Sequence, residues 1–499
     1  MASSPTSLPR WRKIAGSSLL TLATFYLLLL IPDSVPPINF TGDKQPFIWN
    51  RDEYWNALEA RFQAARDSGC VQLAPHIEQE LFQSHQLLAQ FASDTLAPDH
   101  SAFDEIEKIF FELGPNIAAC PQKLPEYIQL QTRLRKLVKE QSQHWEMNSP
   151  SARDRIYRCL YGSRAALEEV MLQVPADSLP ALSFGDDEPS RTPSTKILGV
   201  TIHSGDILVS RGGAPTSALI ARGNDYPGNF SHVALVHVDE KTSLASIIEA
   251  HIERGVAIST LEEYLRDKKL RVMILRPRAD LPAIVADPTL PHQAATYALR
   301  QARDHHIPYD FAMNYHDSAK LFCSEVALFA YQKFGVNLWM GISHISSPGV
   351  TAWLSAFGVK HFETQEPADL EYDPQLRVVA EWRDPETLYQ DHVDNAVIDA
   401  MLEGAERGER LGYTWYLLPM ARVMKVYSIM RNAFDGIGPV PEGMNATAAL
   451  RHKQFNQTHL AIKERTLALA VTFQNEHGYR PPYWELFRMA REAKQKLRD

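Results

Sequence analysis

The 499-residue chain has no surplus of positive charge: 51 Lys and Arg against 60 Asp and Glu leave a formal net charge of −9. That excludes the electrostatic footprint of a nucleic-acid-binding protein, and no nucleic acid is expected as a partner. No internal repeat or low-complexity tract is apparent. There are only four cysteines, and three of them, Cys70, Cys120 and Cys159, fall in the first third, so Cys323 is the lone thiol of everything downstream. With 45% hydrophobic and 22% charged residues the chain is globular, and it is too long for one core, so two or three domains are expected.

One uncharged apolar run stands out, residues 14–31, preceded by Arg10, Arg12 and Lys13 and followed by Asp33 and Asp43. It is short for a membrane span and long for a signal-peptide core. No Ala-x-Ala cleavage site follows it; Pro32, Pro36 and Pro37 do. The reading is an uncleaved signal anchor with its positive end in the cytoplasm and the rest of the chain outside, a cleaved signal peptide being the alternative.

The chain divides into this anchor and linker (1–48), a helical bundle (49–174), a Pro/Asp/Ser-rich linker (175–195), a mixed region (196–360) and a mostly helical C-terminal region (361–499). Helical periodicity predicts helices at 51–68, 76–91, 103–113, 124–145 and 151–172, with Pro75, Pro98, Pro115, Pro121 and Pro150 in the breaks. If these alternate up and down, Cys70 and Cys120 lie at the same end of the bundle and Cys159 near the other. Cys70–Cys120 is therefore the favoured disulfide. Residues 413–430, rich in aromatics and Met, read as core, with a membrane-facing or acyl-binding surface as the alternative.

The chemistry-bearing stretch runs from 203 to 331. Cys323 opens a predicted helix that is apolar after Glu325, and the helix N-terminus would stabilise a thiolate, bringing its pKa to roughly 3.5–7.5. It is a candidate nucleophile. Gly205-Asp206 feeds a strand at 207–210, Ser231-His232 starts a second, and 246–251 is a third. A hairpin register pairing His232 with Glu249, or with His251, puts these groups on one face. Between the first two strands, residues 211–225 read as a long loop whose polar residues, Arg211, Arg222, Asn224 and Asp225, suit a substrate entrance for a peptide- or sugar-like molecule. Thr260 to Glu263 is a capping box.

The order Gly-Asp, Ser-His, Ile-Glu-Ala, Pro-Tyr-Asp (308–310) and Phe-Cys-Ser-Glu (322–325) resembles the YiiX/YebB-like family of circularly permuted papain-like cysteine hydrolases, over the central third of the chain. The resemblance implies an α+β fold, with an antiparallel sheet and a buried Cys helix between the helical regions. It also implies a Cys323–His232–Glu249 triad without metal or cofactor. Tyr309, Ser324 and Arg211 are further candidates for oxyanion or substrate contacts. The expected function is amide hydrolysis. A lipid-directed acyltransferase or thioesterase using the same triad, and a non-catalytic or zinc-holding scaffold, are the alternatives. The expected partners are a peptide-like or acyl substrate and, through the N-terminal helix, a membrane; nothing indicates an oligomeric state. Of the glycosylation sequences at Asn39, Asn229, Asn445 and Asn456, a glycan on Asn229 would crowd His232. With the resemblance, this points to a bacterial inner membrane with the bulk of the chain in the periplasm.

Overall fold

Along the strands, neighbouring residues are buried in opposite directions. Ile207, Val209, Val233 and Leu235 join one apolar core, while Leu208, Ala234 and Val236 join another. A sheet covered on both faces needs apolar residues at successive positions, which is why these strands appear as unbroken hydrophobic runs. The computed structural model describes residues 23–36, 44–49, 52–176, 179–338, 341–434 and 436–497. The expected anchor lies partly outside them: 23–29 are helical, and among the described residues no helix is long and apolar enough to cross a membrane.

In chain order the strands are β1 (Leu182–Phe184), β2 (Ser194–Ile197), β3 (Val200–His203), β4 (Ile207–Gly212), β5 (His232–Val238), β6 (Ala245–His251), β7 (Gly255–Thr260), β8 (Lys269–Pro277), β9 (Ser343–His344), β10 (Glu363–Thr364) and β11 (Leu376–Trp382). Seven of them form one sheet in the order β1-β11-β8-β4-β5-β6-β7, and every neighbouring pair is antiparallel. The β2–β3 hairpin covers the face that carries Leu208 and Val236. Two of the sheet's strands lie outside the expected mixed region of 196–360. β1 falls in the stretch expected to be a linker, and β11 falls in the C-terminal region, where Arg377 and Glu381 interrupt the apolar pattern. Glu381 is nonetheless buried, paired with Arg135 at 3.2 Å.

The N-terminal helices are α1 (Asp52–Ser68), α2 (Cys70–Ser93), α3 (Ser101–Ala118), α4 (Leu124–Gln141), α5 (Pro150–Tyr157) and α6 (Ser163–Leu172), with one π turn, Arg158–Gly162, joining the last two. Pro75 and Pro115, expected in breaks, sit near helix ends inside α2 and α3. Cys70 and Cys120 are disulfide-bonded, with Cα atoms 4.8 Å apart. The expected loop at 211–225 is largely a helix, α7 (Pro215–Arg222), which Pro215 opens at a position where its missing N–H costs nothing. Then follow α8 (Leu290–Asp304), α9 (Cys323–Gln332), α10 (Pro348–Phe357), α11 (Pro385–Glu406), α12 (Leu418–Asn432), α13 (Ala446–His477) and α14 (Tyr483–Gln495). Helices α10, α11, α13 and α14 share a second core, whereas the N-terminal helices share theirs with the sheet, α8 and α9.

A chain of buried charges joins these parts. Arg271 of β8 donates to both oxygens of Glu168 on α6 (2.7 and 2.9 Å) and through Nε to Asp391 of α11 (2.8 Å). Arg383 reaches the same Glu168 at 3.1 Å. Removing Arg271 leaves each of two buried carboxylates with one arginine in place of two, Arg383 for Glu168 and Arg211 for Asp391, so Arg271→Met should lower the unfolding free energy by about 3 kcal/mol, measured by urea denaturation at neutral pH. Burial alone would raise the Glu168 pKa, but Arg271 and Arg383 outweigh it and hold it at about 2. The stability this contributes is fully present above the unfolded value of 4.5 and is lost as pH falls toward 2. Glu168→Gln should remove that part of the acid-unfolding slope.

Candidate functional site

The β5–β6 hairpin sets Ala234 opposite Glu249. Continued outward by two residues, this register puts His232 opposite His251, with Glu249 as the diagonal neighbour of His232. The diagonal is closed by a hydrogen bond: His232 Nε2 lies 2.7 Å from Glu249 Oε2. The other carboxylate oxygen accepts from Ser259 Oγ of β7 at 3.0 Å, and His251 Nε2 is 3.3 Å from it. Burial would raise the Glu249 pKa, yet the groups turned toward it take it well below the ordinary carboxylate range. An ionised Glu249 can only accept, so Nε2 of His232 carries the hydrogen and Nδ1 keeps a lone pair. Burial lowers the His232 pKa, with Glu249 opposing, so the imidazole is neutral at neutral pH.

Gly255 makes the neighbouring turn possible. Its φ of +76° favours glycine, and a Cβ there would run into the Ile307 carbonyl. That contact belongs to a larger join, in which Val256 N–H donates to Ile307 O at 2.9 Å. Downstream, Tyr309 pairs with Leu321 in a parallel bridge, with Leu321 N–H on Pro308 O (3.0 Å) and Asp310 N–H on Leu321 O (3.2 Å). The Pro-Tyr-Asp and Phe-Cys-Ser-Glu motifs are thus laid side by side. Asp310, buried, accepts from the N–H groups of Ala312 (2.9 Å) and Asn314 (2.6 Å) and folds the intervening loop.

Helix α9 opens directly on Cys323. Glu325 closes its first turn: a carboxylate oxygen accepts the Phe322 N–H at 2.7 Å, while Glu325 N–H donates to Phe322 O at 3.1 Å. The Cys323 thiol lies against the start of β5, 4.0 Å from the carbonyl oxygen of Ser231, one residue before His232. It is not hydrogen-bonded to the imidazole. The expected low thiol pKa is not what the structure produces. Burial pushes Cys323 up to about 12, the nearby Val233 N–H and Ser324 hydroxyl opposing only in part. Cys159, on the π turn of the bundle, is likewise raised to about 12 by burial. Acidity therefore does not separate the two free cysteines; their neighbours do.

The remaining candidates have separate fates. Tyr309 is half-buried, and burial together with the neighbouring Cys323 raises its phenol well above the usual value. Ser324 is fully buried beside Cys323. Arg211 is a correction: it is fully buried, with Nε 3.2 Å from Asp391 and Nη1 on the Gly212 carbonyl at 2.7 Å. Arg222 likewise forms a two-pronged pair with Asp399 (3.0 and 2.8 Å), and Asp225 accepts from Ser346. The two arginines are thus held in interior ion pairs to α11 and do not line an entrance. Among the described residues no group of three His, Cys, Asp or Glu is arranged to hold a metal ion. Sequence reasoning missed Ser259, Glu325 and Glu366. The last is buried, held well above its usual pKa by burial, and close enough to Cys323 to raise the thiol further.

Residues 201–380 match the permuted papain-like amidase enzymes of the YaeF/YiiX, C92 family. No curated protein and no solved structure matches the chain. The match takes in His232, Glu249 and Cys323, and it continues past residue 360 into β11, as the sheet does.

The Glu325 cap carries a pH signature. Burial lifts its pKa from 4.5 to about 9, so its contribution to stability is full below 4.5 and declines as pH rises through 9. Glu325→Gln keeps an oxygen for the Phe322 N–H and removes the ionisation. Melting temperatures taken from pH 5 to 9 should fall more steeply in the parent than in the variant; equal slopes would count against a protonated Glu325.

Proposed function

We propose that residues 201–380 form a cysteine amidase in which Cys323 is the nucleophile, His232 the base and Glu249 the residue that orients it. The observation that carries this reading is the 2.7 Å His232–Glu249 bond, with the Cys323 thiol against the backbone next to that imidazole. The family description supplies the bond class, an amide. The order His before Cys is that of the permuted group.

On this reading the thiol leaves the Ser231 carbonyl and passes its proton to Nδ1 of His232 as sulfur attacks the amide carbon. A thiol near 12 is not ionised beforehand, so proton transfer and attack are coupled. Backbone N–H groups at the start of α9 stabilise the oxyanion. Collapse expels the amine, protonated by His232, and leaves a thioester that water, activated by the same imidazole, hydrolyses. Glu249 holds the ring by Nε2 throughout and balances the imidazolium. The apolar run at 14–31 is read as the anchor that keeps the chain in a bacterial inner membrane, with this region on the periplasmic side. Peptide-like substrates fit the family's bond class. Lipid acyl transfer is the second reading, favoured by the exposed aromatics Trp415 and Tyr416, which were expected in the core.

Turnover of amide and ester probes should vanish in Cys323→Ala and fall by about 10²–10⁴-fold in His232→Ala. Glu249→Gln should lower it less than His232→Ala does. Parental rates in Cys323→Ala would end the assignment. Because burial keeps the His232 pKa below 6.5, kcat/KM should be full at pH 7 and decline only at more acidic pH. Iodoacetamide should alkylate the resting thiol slowly at pH 8.

A further inference from the structure

Helix α12 is amphipathic in the reverse sense of an ordinary surface helix. The side turned to the protein packs Leu418 and Ala421 against Ala446 at its start and is otherwise polar, with its groups occupied. Arg422 donates to the carbonyls of Leu28 and Ile31, Lys425 to those of Pro441 (2.8 Å) and Glu442 (2.7 Å), and Ser428 Oγ accepts from Val440 N–H at 3.0 Å. Asn432 donates to Glu253 O at 2.9 Å. The side turned away is apolar: Met420, Val423, Tyr427 and Met430, extended by Tyr416 before the helix and Phe434 after it, are all exposed, Phe434 by 86%. A contiguous apolar face of this kind is unusual on a free surface and marks an interaction site.

The same helix grips a second apolar element. The carbonyls that Arg422 takes belong to the end of the 23–31 segment, whose Phe25, Leu27 and Leu28 are exposed too. The join is fixed from the other side by Asp33, which accepts from the backbone and hydroxyl of Thr447 (3.1 and 2.8 Å). The two exposed apolar segments are therefore held side by side, and the sequence runs on without charge from residue 31 back to residue 14. Helix α12 is a 15-residue helix, and at 1.5 Å per residue it spans about 22 Å, short of the roughly 30 Å of a hydrocarbon core. An apolar face with aromatic residues at its start and the exposed Arg431 at its end suits a helix lying in the plane of a bilayer surface.

We propose that α12 and its flanks are an interfacial membrane contact, additional to the run at 14–31, whose occupant is the surface of a phospholipid bilayer. Its inner side rests on the loops of the candidate site. Glu253 belongs to the β6–β7 turn just beyond Glu249 and His251, and Glu442, whose carbonyl Lys425 takes, pairs with His306 at 2.8 Å. Docked in this way, α12 holds the β6–β7 turn and His306 about one helix diameter, roughly 10 Å, from the lipid. That these loops border an active site rests on the amidase reading; the docking itself does not.

The test uses the full chain in phosphatidylethanolamine–phosphatidylglycerol vesicles that contain a phosphatidylcholine with a diazirine in its acyl chain, irradiated, digested and mapped by mass spectrometry. Lipid adducts are expected within residues 415–434. The double variant Met420→Asp, Val423→Asp should lose them while keeping adducts at 14–31 and an unchanged melting temperature. Adducts confined to 14–31 in the parent would overturn the proposal. So would the absence of lipid adducts at 415–434 together with a dimer, seen by sedimentation in detergent, that the double variant converts to monomer, which assigns the face to self-association. Cys323→Ala should give the parental adduct pattern, so failure of the docking is read separately from failure of the amidase assignment.

Discussion

The bond between Arg271 and Glu168 holds three separately built parts together. Glu168 belongs to the bundle, Arg271 to the sheet, and Asp391, which Arg271 also takes, to the C-terminal helices. All three are essentially out of water, where the cost of stripping charges is recovered only if every member is paired. Apolar contact alone would tolerate some sliding of the bundle on the sheet. A two-pronged guanidinium–carboxylate pair does not, since it demands one distance and one plane. The site depends on that rigidity at one remove, because β4 is the neighbour of both β8 and β5, the strand that begins with His232.

Burial is also the constraint that shapes the candidate site, and it works against the charged forms of both Cys323 and His232. It lifts the thiol of Cys323 and lowers the imidazole of His232, so each is kept neutral. The expectation that the helix terminus alone would yield a ready thiolate weighed the dipole and left out desolvation, which is the larger effect here. Glu249 is the exception, an ionised group in a buried place, and it remains so because Ser259 and two imidazoles face it.

What could be read from the residues follows the same division. The strands at 207–210, 231–238 and 246–251, the Cys323 helix and the Thr260 capping box were legible because apolar runs and caps are local signals. The Cys70–Cys120 bond followed from the alternation of helices. Helix α7 and β11 were not legible, since their Arg222, Arg377 and Glu381 resemble solvent-facing residues and their partners lie far along the chain. The face of α12 misled for the opposite reason: its aromatics carry the pattern of a core and stand outside. A periodicity says which residues share a side, and not what that side meets.

The sheet's topology has a consequence for the order of assembly. The meander β5-β6-β7 pairs neighbours in sequence, so His232, Glu249 and Ser259 meet through short loops that close quickly. The Cys323 helix comes later in the chain, and the edge of the sheet later still, where Leu182 waits for Trp382. During synthesis, then, the His232–Glu249 pair is formed first, on a hairpin with one face bare, and the Cys323 thiol arrives only to cover it. A chain stopped between those two events would hold a finished imidazole pair with no sulfur to serve.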